Sequence, residues 1–124
     1  LRSLLDTHAL LSLLFADGGL SRSAEEAVER PDAELLVSVV SVWEIAIKRS
    51  VGKLEAPEGV LERIEEAGAE LLSITGRHAD AVAHLPFHHR DPFDRLLIAQ
   101  AKLEGCAVIT KDLTFTAYGV PIVW

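Results

Sequence analysis

The sequence predicts an α/β fold in which helices flank a central, mainly parallel sheet. Three observations carry this. Short apolar runs alternate with helical patterns along the whole chain. One of those runs, Leu35-Leu36-Val37, is continuously apolar, as strands covered on both faces are. The chain has 124 residues, 49% hydrophobic and 25% charged, which suits one domain over residues 1–124 with a sizeable core.

The elements follow in order. Arg2 to Leu5 is an apolar strand that ends at Asp6. Thr7 is placed to cap a helix through Phe15, with Leu10, Leu11 and Leu14 as its buried stripe, and Asp17-Gly18-Gly19 breaks it. Ser21 or Ser23 opens a second helix, Ala24 to Glu29, which Pro31 stops. Glu34 to Val39 is the second strand. Ser41-Val42-Trp43-Glu44 has the pattern of a capping box and opens a helix to about Arg49, closed by Gly52. Pro57 starts the next helix, with Val60, Leu61 and Ile64 inside and Glu58, Glu62, Glu65 and Glu66 on a solvated face. Glu70 to Ile74 is a third strand, and Thr75 to Leu85 a helix ended by Pro86. Asp91 is a natural N-cap, with Pro92 at the first helical position and Leu97, Ile98 and Ala101 continuing an apolar face. Ala107 to Thr110 is the fourth strand, and Ile122 to Trp124 a short final one.

Composition narrows the function. No apolar run approaches the roughly 18–20 residues of a membrane span. The first apolar stretch is interrupted by Asp6 and His8, with no small-residue cleavage site after it, so it does not read as a signal peptide. A single cysteine, Cys106, gives no internal disulfide, so the expected compartment is the cytoplasm, and Cys106 reads as a small core residue. There is no methionine, and the expectation is that a natural start lies upstream or has been removed. The net charge of −7 argues against a broadly basic nucleic-acid binder. It does not argue against a nucleic-acid enzyme, because clustered acids can hold metal ions that supply positive charge locally.

Four acids are placed to cluster. In an open parallel sheet, ligands bind outside the carboxyl ends of the strands. Asp6 ends the first strand, Glu44 lies at the start of the helix after the second, Asp94 sits in the first turn of the Asp91 helix, and Asp112 follows the fourth strand. Such a group repels itself unless protons or a metal relieve it, and Mg²⁺ and Mn²⁺ prefer oxygen ligands. The matching chemistry is metal-assisted phosphodiester hydrolysis. Each acid also has a purely structural reading. Glu44 completes a capping box, Asp94 complements the helix dipole, and Asp112 caps Leu113 to Ala117. Asp6 is the hardest to explain that way, since a carboxylate at the end of a buried strand is costly without a partner.

The segments Leu4-Leu5-Asp6-Thr7-His8-Ala9-Leu10-Leu11, Ser41 to Lys48 with Gly52-Lys53-Leu54, His89 to Ala101, Ile109-Thr110-Lys111-Asp112 and Tyr118 to Trp124 together resemble a PIN domain. Within that family they are most similar to VapC-type toxins of bacterial toxin–antitoxin pairs. The resemblance runs from near the first residue to the last, and each motif gains specificity from its order and spacing. It implies a PIN-like three-layer fold and a Mg²⁺- or Mn²⁺-dependent ribonuclease. The family's acidic positions fall on Asp6, Glu44, Asp94 and Asp112, with Asp6 and Asp94 as principal metal ligands. By the same resemblance, Glu44 and Asp112 complete the site and help position the attacking water. It further implies a homodimer, an antitoxin protein that blocks the cleft, and DNA contact only indirectly, through the antitoxin.

Other residues have weaker signals. Lys48, Arg90, Arg95 and Lys111 lie near the acids in sequence and are candidates for RNA phosphate contacts, with surface solvation or ion pairing as the alternative. His84, His88 and His89 suggest zinc only loosely, since no Cys joins them and their spacing is loose; contact of His88 or His89 with RNA is the stronger reading. Trp43 fits a core anchor or an interface, and Trp124 a sheet edge. Two rival readings stand beside the ribonuclease. A phosphatase of the haloacid-dehalogenase type also begins with a strand ending in Asp, but needs a second Asp two positions on, where this chain has His8. A non-catalytic binding module would use the acids only as caps and turns.

Overall fold

The computed structural model describes residues 2–124. Its strands are β1 (Arg2–Leu5), β2 (Glu34–Ser38), β3 (Glu70–Leu72), β4 (Ala107–Ile109) and β5 (Ile122–Val123). They form one sheet in the order β3-β2-β1-β4-β5, and every neighbouring pair is parallel. The helices are α1 (Thr7–Phe15), α2 (Arg22–Glu29), α3 (Val39–Ser50), α4 (Val60–Glu66), α5 (Gly76–Ala81) and α6 (Pro92–Glu104), with short 3₁₀ turns at Val82–His84 and Leu113–Tyr118.

The central strand explains the layering. Successive residues of a strand face opposite sides. Leu4 and Leu5 are both fully buried, each worth about 1.5–3 kcal/mol relative to exposure. Leu4 packs in one cluster with Leu97, Ile98, Val108 and Phe115. Leu5 packs in a second with Leu10, Val37, Ile45 and Ile64. The sheet is therefore covered on both faces, which is what the unbroken Leu35-Leu36-Val37 run requires.

Several boundaries differ from the sequence expectation. Asp6, not Thr7, caps α1, because its Oδ1 accepts the Ala9 N–H at 2.8 Å. Helix α3 begins at Val39 rather than Ser41, because Ser38 Oγ accepts the Val40 N–H and ends β2 early. Ser41 and Glu44 thus lie inside the helix and form no capping box. Helix α4 starts at Val60 and not Pro57; Gly59, at φ +68°, makes the turn into it. β3 stops at Leu72, and the Thr75–Leu85 segment is split into α5 and a 3₁₀ turn. Asp91 and Pro92 start α6 as expected, with Asp91 Oδ1 accepting from the Phe93 N–H at 2.8 Å.

Topology places a crevice beside β1. The chain moves from β1 outward through β2 to β3, then crosses to the other side of β1 to form β4. This reversal of strand order opens the carboxyl ends of β1 and β4, the usual ligand position in such sheets. The Asp6 N–H still donates to Ile109 O there, at 3.1 Å.

Candidate active site

A cleft of about 670 Å³ opens at this edge, lined by Asp6, Asp94, Lys111 and Asp112 together with apolar Leu11, Phe15, Leu54 and Trp124. Its size is ordinary for a ligand site. Exposed His8 and Asp17 also line it, although in the sequence Asp17 signals only a helix break.

Asp6 is delivered by the end of β1 and is buried. While Oδ1 caps α1, Oδ2 accepts the Thr110 hydroxyl. The Thr110 oxygen in turn accepts the Asp112 N–H at 3.0 Å, so one hydroxyl ties the two acids together. Burial raises the Asp6 pKa, and these hydrogen bonds only partly oppose it. Asp94 projects from the first turn of α6 and is half-buried. Desolvation, and then the nearby charges of Asp91, Glu44 and Asp6, push its pKa up to about 6. Asp112 follows β4, and its Oδ1 accepts the Thr114 N–H. Its partial burial disfavours the anion, but hydrogen bonds from His89 and Thr114 outweigh this and hold its pKa below the usual carboxylate value.

Glu44 sits apart from the cleft lining. It is buried in α3, with Oε1 2.7 Å from the Thr7 hydroxyl and Oε2 2.7 Å from Lys48 Nζ. Its charge nonetheless acts on Asp94. The hydrogen bond to Glu44 also raises the Lys48 pKa, which ties that lysine to the acidic group.

His89 is the residue that sequence reasoning placed least well. Its Nε2 lies 2.6 Å from Asp112 Oδ2. Atoms of His89, Asp94 and Asp112 lie within 4.8 Å of one another, the sole such acid–imidazole group among the described residues. His84 and His88 do not join it. Nothing in the sequence pairs His89 with a residue 23 positions away; the pairing is made by the fold.

Among the basic candidates, Lys111 is exposed on the cleft, and Arg90 is exposed on the loop before α6. Arg95 is a correction. It is buried at 6% exposure and donates to the carbonyls of Pro86, Val82 and Leu85, with Phe87 over its guanidinium. It is a loop anchor, unable to reach a phosphate from there. Trp43 is exposed and packs edge-on against Phe93. Cys106 is buried, with its thiol pKa raised by that burial.

A family model described as PIN domain matches residues 3–121. The chain belongs to the PIN domain family. Its likeness to a ribonuclease, VapC22 of Mycobacterium tuberculosis, is 29% identity over 121 residues, covering 95% of this chain and 92% of the relative. Among solved structures, it is similar to VapBC2 from Rickettsia felis bound to a promoter DNA fragment, with TM-score 0.70 and 12% identity over 98% of this chain and 97% of that one. A DNA-bound VapBC from Salmonella typhimurium gives TM-score 0.68 and 20% identity, covering 98% and 96%. At those identities the structural likeness bears on the fold. Membership of the PIN family displaces the haloacid-dehalogenase reading. Among the described residues of this PIN domain, no helix is long and apolar enough to cross a membrane.

Proposed function

We propose that this PIN domain is a Mg²⁺- or Mn²⁺-dependent endoribonuclease, the toxin of a toxin–antitoxin pair. The observation that carries the reading is the convergence of Asp6, Asp94 and Asp112 on one cleft at the sheet's switch point. Asp94 there is held near pKa 6 by its surroundings, foremost burial and neighbouring carboxylates. A pocket that makes its own anions unfavourable fits a cation. The donors are oxygen-rich, as hard divalent ions prefer.

Asp6 and Asp94 would be the principal ligands, with Asp112 completing the set and Glu44 acting from behind, through its charge or a bridging water. When bound, the metal would polarise a phosphodiester oxygen and lower the pKa of a bound water. The chain's own contribution is preorganisation. Thr110 and the α1 amide fix Asp6, and Thr114 and His89 fix Asp112. Lys111, exposed at the mouth, is placed to meet a backbone phosphate of the RNA.

The partners follow from the same reading. The two VapBC structures that share this fold are DNA-bound, one of them to a fragment of its promoter. For this chain we infer an antitoxin that covers the cleft, a homodimer in solution, and DNA contact through the antitoxin alone. Cleavage of a panel of structured RNAs with Mg²⁺ or Mn²⁺ tests the activity. Wild type should cut and be silenced by EDTA, and Asp6→Ala and Asp94→Ala should lose at least a hundredfold. Cleavage that survives both substitutions, or ignores EDTA, refutes the site. A strictly monomeric mass at micromolar concentration refutes the dimer.

A further inference from the structure

The loop from Leu85 to Arg90 is held at both ends. Arg95 binds its first part through the carbonyls of Leu85 and Pro86. Tyr118 binds its second part: the buried hydroxyl accepts the backbone N–H of His88 at 3.1 Å and of His89 at 2.7 Å. The same oxygen lies 3.1 Å from His89 Nδ1. The phenol ring stacks on the imidazole at 5.5 Å and 20°, while Phe115 meets it edge-on at 5.2 Å. The ring is therefore fixed in position and in plane.

The hydrogen-bond inventory fixes its tautomer as well. A phenol oxygen that already accepts two N–H groups has its single proton left for the third contact. The Tyr118 O–H donates to Nδ1, so Nδ1 is the acceptor and the ring proton resides on Nε2. Nε2–H then donates to Asp112 Oδ2 at 2.6 Å. The other Asp112 oxygen accepts from the Thr114 amide at 2.9 Å. Each carboxylate oxygen keeps a further lone pair, so the group is oriented without being used up.

We infer that His89 is a positioning residue for Asp112, locked by Tyr118 as an Nε2–H donor, and is not itself a metal ligand. This rests on the ribonuclease reading for its consequence, but not for its geometry. An Nε2 that carries a proton has no lone pair for a cation. Partners that orient a ligating group in this way typically cost 10–100-fold in metal affinity or activity when removed.

The test has one arm without RNA and one with it. In the metal-free protein, ¹⁵N NMR of the imidazoles should show His89 as the Nε2–H tautomer; an Nδ1–H tautomer overturns the inference. Calorimetric Mn²⁺ titration should show about 10–100-fold weaker binding for His89→Ala. His89→Gln, whose amide N–H reaches the same Asp112 oxygen, should recover most of it, and Tyr118→Phe should fall between. In cleavage assays, the Mn²⁺ needed for half-maximal rate should shift in the same order, while the KM for RNA stays within about threefold. A changed KM with unchanged Mn²⁺ dependence would make His89 an RNA contact and overturn the inference. So would His89→Gln binding Mn²⁺ as poorly as His89→Ala, which marks a direct ligand. If wild type cuts no RNA, the function fails, while the NMR and titration arms still judge the positioning role.

Discussion

Replacing Asp94 by Asn should make the metal-free protein more stable while destroying its chemistry. The native environment, chiefly burial and then the charges of Asp91, Glu44 and Asp6, holds the Asp94 carboxyl near pKa 6 rather than 3.8. In a fully screened-off site that difference would disfavour the folded anion by about 3 kcal/mol at neutral pH. Asp94 is partly solvated, and screening reduces this to roughly 1–1.5 kcal/mol. Because the folded pKa is raised, the penalty is absent below about pH 3.8, grows as pH rises through that value, and is complete above about pH 6. Asp94→Asn should therefore raise the Tm of the EDTA-treated protein by roughly 3–6 °C at pH 7.5. At pH 5 the gain should fall to about half. Saturating Mg²⁺ should reverse the order, stabilising wild type and not the variant. Urea or thermal denaturation followed by circular dichroism reads all three. A variant less stable than wild type at pH 7.5 in EDTA would refute the claim that burial and the neighbouring carboxylates disfavour this anion.

Other perturbations have equally direct outcomes. Mn²⁺ binding measured by calorimetry should weaken about tenfold between pH 7 and pH 5, because Asp94 must release a proton to a cation below about 6. Arg95→Ala should cost about 2–4 kcal/mol in urea unfolding, since the carbonyls of Val82, Leu85 and Pro86 lose a charged donor, and should leave the salt dependence of RNA binding unchanged. Lys111→Ala should do the opposite, with unchanged stability, a several-fold higher KM for RNA, and a salt slope shallower by about 0.7. Thr110→Val removes the donor to Asp6 and the acceptor for the Asp112 amide, so it should lower Tm and weaken Mn²⁺ binding together.

The parts of this molecule that the sequence reveals are those set by local chemistry. Asp91-Pro92 specifies a helix start by its own geometry, and Leu35-Leu36-Val37 specifies a doubly covered strand by its lack of alternation. The β1 acid is readable because a carboxylate that ends a buried strand needs a partner; Thr110, 104 residues away, is one. What the sequence hides is set by tertiary contact. The start of α3 moved because Ser38 competes with Ser41 as the cap, and both are good capping residues. Glu44 then meets Lys48 one turn on in the same helix, but its bond from Thr7 depends on α1 packing against α3. Arg95 looks like a surface cation beside two acids, yet the loop folds its carbonyls over the guanidinium. His89 meets Asp112 only because Tyr118 holds the loop against the end of β4.

The central claim is that the cleft carboxylates form a divalent-cation site. Crystals soaked in Mn²⁺ and measured at the manganese absorption edge test it most directly. The account predicts an anomalous peak within ligand distance of Asp6, Asp94 and Asp112, lost in Asp94→Asn crystals. Manganese bound only elsewhere, such as along the exposed acids Glu62, Glu65 and Glu66 of α4, or none at all at millimolar concentration, would contradict it.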